Sequence, residues 1–436
     1  MSSAVPPAPA VTPLMPVTLE PGGLRHAPGM RAGRWVFGTG LKAVDRFDGA
    51  IAASVLRAGL PLHDASKLKR EARQVFGNLA RVCEAGGAPL DGIVRLDQNY
   101  TTHKAVEPYH DIRREVLQAN IPPSTSTLAQ GLLLAGQEIE MHMIAAVPGE
   151  GFAPVHIRPK DEQIHHTSAY SLAVAAGDHV FIAGRMADGG IGEGLAPEAR
   201  MPARHLWKGT PVKLEAEYVI TRKLVRALEA AGCTLADIVK LQVYLRDLDD
   251  FAPFNDVWRA HFGASRPATT LVPTATPGFF LEDAHIEINA VALRPGRERR
   301  QAIDVAAGGL AAFDGYPQAV RAGDLLLFSG LLAIDADGLV PGARRDPAKP
   351  WFGSPVRAQM QAMLSRAQAV CEAAGTSLTN VVRIQQYHTD LASFQDTCDA
   401  WATFLPGAAL PLSAVQVPFL PVPGCSVMLD LWVYVP

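Results

Sequence analysis

Residues 229–241 read EAAGCTLADIVKL, and this pattern occurs three times along the chain. The other two copies are EAGGAPLDGIVRL at 84–96 and EAAGTSLTNVVRI at 372–384. The glycine at the fourth position of the pattern recurs after 145 and then after 143 residues. A long, regular period is the signature of one structural unit used repeatedly, so the spacing predicts three tandem copies in the 436 residues.

A second landmark has the same period. It consists of a turn glycine, an apolar run and another glycine, and it reads AGRWVFGTG at 32–40, AGDHVFIAG at 176–184 and AGDLLLFSG at 322–330. The first twenty residues contain five prolines and no Lys or Arg, which predicts a disordered Pro/Ala-rich tail. The predicted organisation is therefore a tail over 1–20 and three domains over 21–150, 151–296 and 297–436.

Each copy has the same predicted order of secondary structure. The Ala-Gly segment predicts a strand, and a helix that ends at the glycine of the opening pattern follows it. A second strand, a shorter helix with an aromatic stripe and a final strand complete the copy. The final strands are predicted over 139–145, 285–293 and 426–435. This order is typical of an α+β unit in which two helices cover one face of a mixed sheet.

The charge balance excludes several classes of function. Lys and Arg total 40 against 43 Asp and Glu, which gives a net charge of -3. Without a basic excess, neither nucleic acid nor an anionic membrane is an expected partner. The five cysteines lie far apart and form no CxxC pair, which is typical of reduced thiols. We expect a cytoplasmic protein, since no signal peptide or membrane span is apparent.

The order of elements, together with TLADIVKLQVYLRDLDDFAPFN at 234–255, resembles the RidA (YjgF) family of enamine/imine deaminases. The resemblance is closest over about 165–293 and covers nearly the whole chain in three diverged copies. It implies compact chorismate-mutase-like domains that assemble as trimers with ligand clefts between neighbours. For this chain it implies an intramolecular pseudo-trimer with three clefts that need not be equivalent, and further homo-oligomerisation stays open.

The resemblance also implies site residues, position by position. The cleft aromatic corresponds to Tyr170, Tyr316 and, in the first copy, His26. The serine that precedes the strand-ending glycine corresponds to Ser329 and Thr39, with Ala183 in the middle copy. The helix asparagine corresponds to Asn255, with His110 and Cys398 in the other copies. The final-strand glutamate corresponds to Glu287 and Glu140, with Met428 in the third copy.

No copy keeps the family's carboxylate-binding arginine, whose position is taken by Ser124, Thr269 and Leu412. A guanidinium binds a carboxylate through two parallel donors, so its loss makes ordinary amino-acid-derived enamines doubtful substrates. The hydroxyl groups of Ser124, Thr269 and Thr270 suggest a pocket for a neutral group. A cluster of strand-edge threonines without any ligand explains them equally well.

The two glutamates are the sharpest chemical feature. Glu287 and Glu140 each lie between apolar neighbours on a strand and so point to the opposite face. In a water-poor cleft their pKa values are expected to be raised, as a general acid or base near pH 7 requires. His142 lies on the same strand face as Glu140. With His26 and His110 it could form an acid–base set or a metal site in one cleft, and we favour the acid–base set.

The sequence thus predicts a hydrolase or deaminase acting on a small imine, enamine or other C–N compound. The predicted catalytic residues are Glu287, Glu140 and His142, and the third copy is the best candidate for a structural role. The predicted substrate-binding residues are Tyr170, Asn255, Thr269, Thr270, Ser124, His26, His110, Tyr316 and Ser329. No metal or cofactor is expected, since no nucleotide-binding or zinc motif occurs. Two alternatives stay open: a non-catalytic small-molecule binder, and a chorismatase-like enzyme acting on a cyclic substrate.

Overall fold

The computed structural model describes residues 10–19, 23–59, 65–159, 169–202, 210–296, 300–305, 315–344, 346–349 and 351–436. Three sheets dominate it, and each is built mainly from one stretch of the chain. We refer to residues 11–146, 155–293 and 300–434 as the first, second and third units. Among the described helices, none has the length and apolar character needed to cross a membrane.

The first unit contains nine strands and three α-helices. They are β1 (Val11–Leu14), β2 (Val17–Leu19), β3 (Leu24–His26), β4 (Gly29–Ala32), β5 (Trp35–Leu41), α1 (Ala53–Leu56), α2 (Lys67–Gly86), β6 (Ile93–Tyr100), α3 (Val106–Leu117), β7 (Ser124–Leu128), β8 (Gly131–Leu132) and β9 (Ile139–Ala146). Its sheet has the order β1-β4-β5-β9-β6-β7, in which β6 and β7 are parallel.

The prediction of a disordered tail over 1–20 is wrong for Val11–Leu19. β1 pairs with β4, and β2 pairs with β3. Val11 and Leu14 are buried, which compensates for the entropy of ordering the segment. Pro13 is tolerated because β1 is an edge strand, where a missing backbone N–H costs little. Residues 1–9 and 20 lie outside the described part of the chain.

The second unit repeats this architecture. Its elements are β10 (Val155–Ile157), β11 (Ala173–Ala176), β12 (His179–Arg185), α4 (Thr210–Tyr218), a π-helical segment (Val219–Leu224), α5 (Val225–Ala230), β13 (Ile238–Leu245), α6 (Phe251–Phe262), β14 (Ala268–Pro273) and β15 (Ile286–Leu293). The sheet order is β10-β11-β12-β15-β13-β14, and β13 runs parallel to β14. The predicted central and final strands are therefore present with nearly the predicted limits.

The third unit follows the same order. Its elements are β16 (Arg300–Ile303), β17 (Ala319–Ala322), β18 (Leu325–Phe328), β19 (Ile334–Asp335), β20 (Gly338–Leu339), α7 (Pro355–Ala373), β21 (Val381–His388), α8 (Phe394–Phe404), β22 (Leu412–Gln416) and β23 (Val427–Tyr434). Its sheet has the order β16-β17-β18-β23-β21-β22-β8, so the short strand β8 of the first unit extends it.

The helices end where the repeated pattern predicts. Gly87 terminates α2 with a left-handed φ of 71°, and Gly232 and Gly375 have φ values of 75° and 76° at the equivalent positions. Such angles favour glycine, because a Cβ atom would clash with the backbone. Ser66 caps the other end of α2 by accepting a hydrogen bond from the Lys69 amide. The glycine therefore recurs in the sequence because the backbone of this turn requires it.

The sheet faces away from the helices share one apolar core. Side chains from all three units contribute to it, including Trp35, Phe181 and Trp432. The strands β9, β15 and β23 are buried on both faces for this reason. A face that packs on another sheet excludes water as well as a helix-covered face does.

Buried charges also join the units. Arg95, Lys240 and Arg383 occupy the same position of the repeated pattern, and each is almost fully buried. Lys240 Nζ of the second unit lies 2.8 Å from Asp430 Oδ2 of the third. Arg383 Nη2 of the third unit lies 3.4 Å from Asp97 Oδ2 of the first. Buried charges need such partners, so these contacts fix how the units meet.

A cyclic set of hydroxyl contacts completes the arrangement. Thr125 Oγ1 of the first unit accepts a 2.9 Å hydrogen bond from Asn289 of the second. Thr270 Oγ1 of the second unit donates to Asp430 of the third at 2.5 Å. Ser413 Oγ of the third unit donates to Glu140 of the first at 2.6 Å. The three hydroxyls hold equivalent positions in their units, but their partners and their donor or acceptor roles differ.

Candidate active site

The boundary between the first and second units contains Glu287, on β15. The residue is 5% exposed, and its carboxyl lies over Gly184, where any Cβ atom would collide with it. A Cβ atom placed on Gly184 would also lie 3.0 Å from Thr125 Cγ2. Glu287 therefore faces β7 of the first unit. Burial, and then the negative charge of Asp97, raise the pKa of Glu287 to about 8, although Arg185 opposes them. The expected raised pKa is confirmed for this residue.

Ser124 has an unexpected partner at this boundary. Arg113 on α3, fully buried, donates from Nη1 to Ser124 Oγ at 2.9 Å. The guanidinium also lies over the ring of Tyr109, 5.5 Å from its centroid. A cation therefore lies directly behind the hydroxyl that replaces the family's arginine. Because Ser124 accepts this bond and is only half-buried, its own hydroxyl proton can be donated into the boundary.

Tyr170 and His110 belong to the same boundary. Tyr170 is half-buried and packs against the apolar core of the first unit. His110 lies on α3, three residues before Arg113, and is also half-buried. Residues three apart share a helix face, which places His110 toward the second unit. The expectation that His110 joins His142 and Glu140 in one cleft stays a prediction. The structure places His110 on α3 and brings His142 and Glu140 together on β9.

The boundary between the first and third units contains Glu140 and His142, on β9. Glu140 Oε1 accepts the 2.6 Å hydrogen bond from Ser413 and lies 3.4 Å from His142 Nε2. The backbone amide of Gly40 donates to His142 Nδ1 at 3.3 Å. With Nδ1 as an acceptor, the proton of a neutral His142 is on Nε2, directed toward Glu140. Both side chains are almost fully enclosed.

Glu140 contradicts the expectation of a raised pKa. Burial alone would raise it, but His142, Lys42 and Ser413 outweigh burial, and the pKa is lowered from its ordinary value. A donated hydrogen bond and nearby cations favour the charged carboxylate. Glu140 is therefore an ionised group at neutral pH, whereas Glu287 is largely protonated. The sequence places the two residues at equivalent positions and does not distinguish them.

A cavity of about 290 Å³ lies beside Glu140 at this boundary. Its polar lining includes Lys42, Asp48 and Gln395, and the remainder is mainly apolar. His26 lies nearby and its Nδ1 is 3.2 Å from the carbonyl oxygen of Leu410. Burial, together with Lys42, lowers the pKa of His26 to about 3, so this histidine is neutral. The predicted residues His26, Glu140 and His142 are thus brought together, and Lys42 and Ser413 join them.

The boundary between the second and third units is packed. Tyr316 is 3% exposed, and its ring centroid lies 4.4 Å from that of Trp258. The indole N–H of Trp258 donates to Thr269 Oγ1 at 3.0 Å, and Ser329 Oγ accepts from the Thr269 amide at 2.9 Å. Thr270 is occupied by Asp430. Tyr316, Ser329, Thr269 and Thr270 therefore contact neighbouring protein groups at this boundary, and their substrate-binding role stays a prediction.

Asn255 does not join Glu287 and Tyr170. It is buried on α6, one turn before Trp258. It therefore belongs to the packed boundary between the second and third units. Met428 replaces the glutamate there and is fully buried. The hydroxyl residues of β14 hold units together, which agrees with the alternative of a threonine cluster without a ligand. Residues of one copy therefore contact two different neighbouring units.

One group of side chains in the described part of the chain has the composition of a metal site. Ligand atoms of Asp247, Asp250 and His285 lie within 4.8 Å of one another. His285 Nδ1 is 2.8 Å from Asp250 Oδ2, and its Nε2 is 2.7 Å from Nη2 of Arg246. Both imidazole nitrogens are engaged, and a guanidinium occupies the side a cation would approach. The group therefore fits an ion-pair cluster better than a metal centre.

Comparison with known proteins agrees with this architecture. The family model described as Endoribonuclease L-PSP matches residues 161–294 and 308–435. These two matches lie on the second and third units and together span more than half of the chain. The chain belongs to this family, known also as the RidA (YjgF) family.

The RutC and RidA relatives match about one third of this chain or less, whereas a chorismatase matches a longer stretch. A RutC family protein of Pyrococcus horikoshii is 33% identical over 126 residues, which cover 29% of this chain and 86% of that protein. The 2-iminobutanoate/2-iminopropanoate deaminase of Escherichia coli K12 is 32% identical over 108 residues, covering 24% of this chain and 82% of the enzyme. A RidA structure from an Antarctic Psychrobacter covers 31% of this chain and all of its own, at 31% identity and a TM-score of 0.26. A chorismatase covers 64% of this chain and 80% of its own, at 16% identity and a TM-score of 0.40.

Proposed function

We propose that this chain is an intramolecular pseudo-trimer that hydrolyses a small C=N compound and releases ammonia. The reaction is placed at the boundary between the first and second units, with Glu287 as the proton-transferring residue. The carrying observation is the raised pKa of Glu287, about 8, in a buried position that faces another unit. The names of similar proteins as imine deaminases support the same reaction class.

A protonated carboxyl is suited to the first step. Glu287 donates its proton to the imine nitrogen, or to the carbon of an enamine, and makes the C=N carbon electrophilic. The resulting carboxylate then accepts a proton from the water that attacks this carbon. The tetrahedral intermediate loses ammonia, and the carbonyl product forms. One water is consumed and one ammonia is released, so Glu287 ends the cycle protonated.

The substrate side chain or carboxylate is proposed to bind near Ser124. The Ser124 hydroxyl is backed by the Arg113 guanidinium, and Arg185 adds a second cation near Glu287. The guanidinium groups of Arg113 and Arg185 offer positive charge to an anionic group on the substrate, while the carboxylate of Asp97 lies near Glu287. Arg113 is fully buried, so it acts through Ser124 and is a positioning residue. Tyr170 and His110 complete the proposed lining.

Glu140 and His142 are not assigned the acid step. The lowered pKa of Glu140 leaves it without a proton to donate near pH 7. The boundary between the second and third units is assigned a structural role because its polar side chains bind one another. The proposed ligand is a small molecule, and neither nucleic acid nor a membrane is proposed as a partner. We retain the proposed limits of the three domains, with the first extended to start at Val11.

The test is ammonia release by the purified full chain from a panel of imines and enamines, with and without a carboxylate. Glu287→Gln is expected to lower kcat by about 10²–10⁴-fold, because a positioned acid contributes that much. Glu140→Gln is the matched control and is expected to retain most activity. Loss of activity in the control with retention in Glu287→Gln would exclude the proposed site. No turnover of any compound would favour the non-catalytic binder.

A further inference from the structure

The cavity between the first and third units is not used by the proposed reaction. Its first-unit wall is contributed partly by Leu24, Phe47 and Leu134, and its third-unit wall by Phe394 and Cys398. These apolar side chains share the cavity, which is partly open to solvent, with the polar groups of Lys42, Asp48 and Gln395. Its volume is close to the lower limit for small-molecule pockets. Lys42, which directly follows β5, contributes a single amine to the lining of the cavity.

Lys42 differs from several other described lysines, which form ion pairs. Lys67 pairs with Glu71 and Glu138, Lys213 pairs with Asp256, and Lys240 pairs with Asp430. In the described ranges of the chain, neither a hydrogen bond nor an ion pair within 4.0 Å reaches Lys42 Nζ. Lys42 is half-buried, so it is enclosed by apolar groups without losing its access to the cavity.

The charged groups around Lys42 are few. Glu140 lies behind it and favours its protonated form, whereas burial, the larger effect, lowers the pKa of Lys42. Asp48 lines the cavity and is held by Arg46 through an ion pair of 2.8 Å. His26 is neutral, since its own pKa is about 3. The amine is therefore nearer to its nucleophilic, unprotonated form than a surface lysine is.

We propose that Lys42 is a nucleophilic amine that condenses reversibly with a small apolar aldehyde or ketone bound in this cavity. The amine nitrogen forms a bond to the carbonyl carbon and gives a carbinolamine. The carbon–oxygen bond then breaks, and the oxygen leaves as water with the two protons of the amine. The product is a neutral Schiff base, and the step needs no oxidant, reductant or metal.

A carbonyl compound suits the cavity better than a carboxylate does. The carboxylate of Asp48 lines the cavity and would repel an anion. Lys42 is a single point charge without a second cationic donor beside it among the described lining residues, whereas carboxylate sites generally offer paired donors.

The test uses the full chain, butanal and sodium cyanoborohydride, which reduces a Schiff base to a stable alkylated lysine. Peptide mapping by mass spectrometry is expected to find Lys42 modified about tenfold faster than Lys67 at pH 7.5, because the Lys42 amine lines the cavity without an ion pair, whereas Lys67 pairs with Glu71 and Glu138. Lys42→Arg keeps the charge but should lose this rapid phase. Lys67→Arg is the matched control and should keep it. Modification of Lys42 no faster than of Lys67 would overturn the proposal.

A second variant separates this proposal from the proposed deaminase reaction. Glu140→Gln removes the charge that favours protonation of Lys42, so labelling of Lys42 should become faster. Slower labelling in Glu140→Gln would contradict the proposed nucleophilic amine. Glu287→Gln should leave labelling unchanged, and Lys42→Arg should leave ammonia release unchanged. The two proposals therefore fail in different experiments.

Discussion

The boundaries that contain Glu287 and Glu140 start from equivalent positions and reach opposite electrostatic states. Both glutamates are buried on final strands, and both face a parallel strand of a neighbouring unit. The negative charge of Asp97 acts on Glu287, and the pKa of Glu287 is raised. Glu140 is stabilised by His142, Lys42 and Ser413 and has a lowered pKa. Burial alone therefore does not decide the protonation state of a carboxyl group.

The difference shows what fusion of the units permits. In an assembly of identical chains, one substitution changes every boundary at once. Here the hydroxyl position that meets the next unit is Thr125, Thr270 or Ser413, and its partner is Asn289, Asp430 or Glu140. Each pair differs from the other two, so each boundary has its own chemistry. One boundary is packed, one contains a protonated acid, and one contains an ionised cluster beside a cavity.

The largest expected effect is on the pH dependence of stability. The folded-state pKa of Glu287 is above its ordinary value, so the folded protein binds one more proton than the unfolded chain between about pH 5 and 8. This group should therefore cost up to about 1.4 kcal/mol of unfolding free energy for each pH unit over that range. Urea unfolding of Glu287→Gln should lack this decline, and the variant should exceed the original protein in stability at pH 9.

Glu140→Gln should show the opposite sign. The folded-state pKa of Glu140 is below its ordinary value, so its contribution to stability is present above about pH 4.5 and is lost as the pH falls. The variant should be less stable than the original protein at neutral pH, and the difference should shrink in acid. Equal behaviour of the two variants in urea would refute the contrast between the boundaries.

A smaller effect is expected for Ser413→Ala. This change removes the 2.6 Å hydrogen bond to the buried carboxylate of Glu140. Loss of a donor to a charged group should cost about 1.5–3 kcal/mol of unfolding free energy. Thr125→Ala is the matched control, since it removes a neutral bond at the equivalent position and should cost about 1 kcal/mol. Both values come from urea unfolding at pH 7. A larger loss for Thr125→Ala would contradict the assignment of the charges.

The smallest expected effect is on substrate binding. Arg113→Met should raise KM for a carboxylated imine about tenfold while kcat changes less than about threefold, because Arg113 acts through Ser124. A substrate without the carboxylate should show no change in KM, which separates positioning from general damage to the fold. Steady-state ammonia release by both substrates measures this. A similar rise in KM for both substrates would remove Arg113 from the proposed site.

Much of the fold could be predicted from the sequence because the period and turn glycines report backbone requirements. The predicted final strand over 285–293 nearly coincides with β15, and the pattern glycines end helices in all three copies. The prolines of the first twenty residues predict disorder, and the sequence does not show that the strands over Val11–Leu19 are held by burial. Strand β8 joins the sheet of another unit, and pairing across units leaves no local signal in the sequence.

The site could be predicted less well. The positions of Glu287 and Glu140 follow from the repeat, but their pKa values depend on Asp97, Lys42 and Ser413, which lie elsewhere in the chain. Arg113 was missed because it reaches Ser124 from a helix rather than from the strand position that the family uses. Among the partners of the two glutamates, Ser413 could have been found from the sequence. The other two copies also have a hydroxyl residue at its repeat position, namely Thr125 and Thr270.

The protonation states themselves can be measured directly. Selective ¹³C labelling of glutamate carboxyl carbons, with Glu287→Gln and Glu140→Gln to assign the signals, gives an NMR titration of both groups in the full chain. Glu287 is expected to titrate near pH 8, and Glu140 below the ordinary value of about 4.5. Titration of Glu287 near 4.5, or of the two groups at the same pH, would contradict the account.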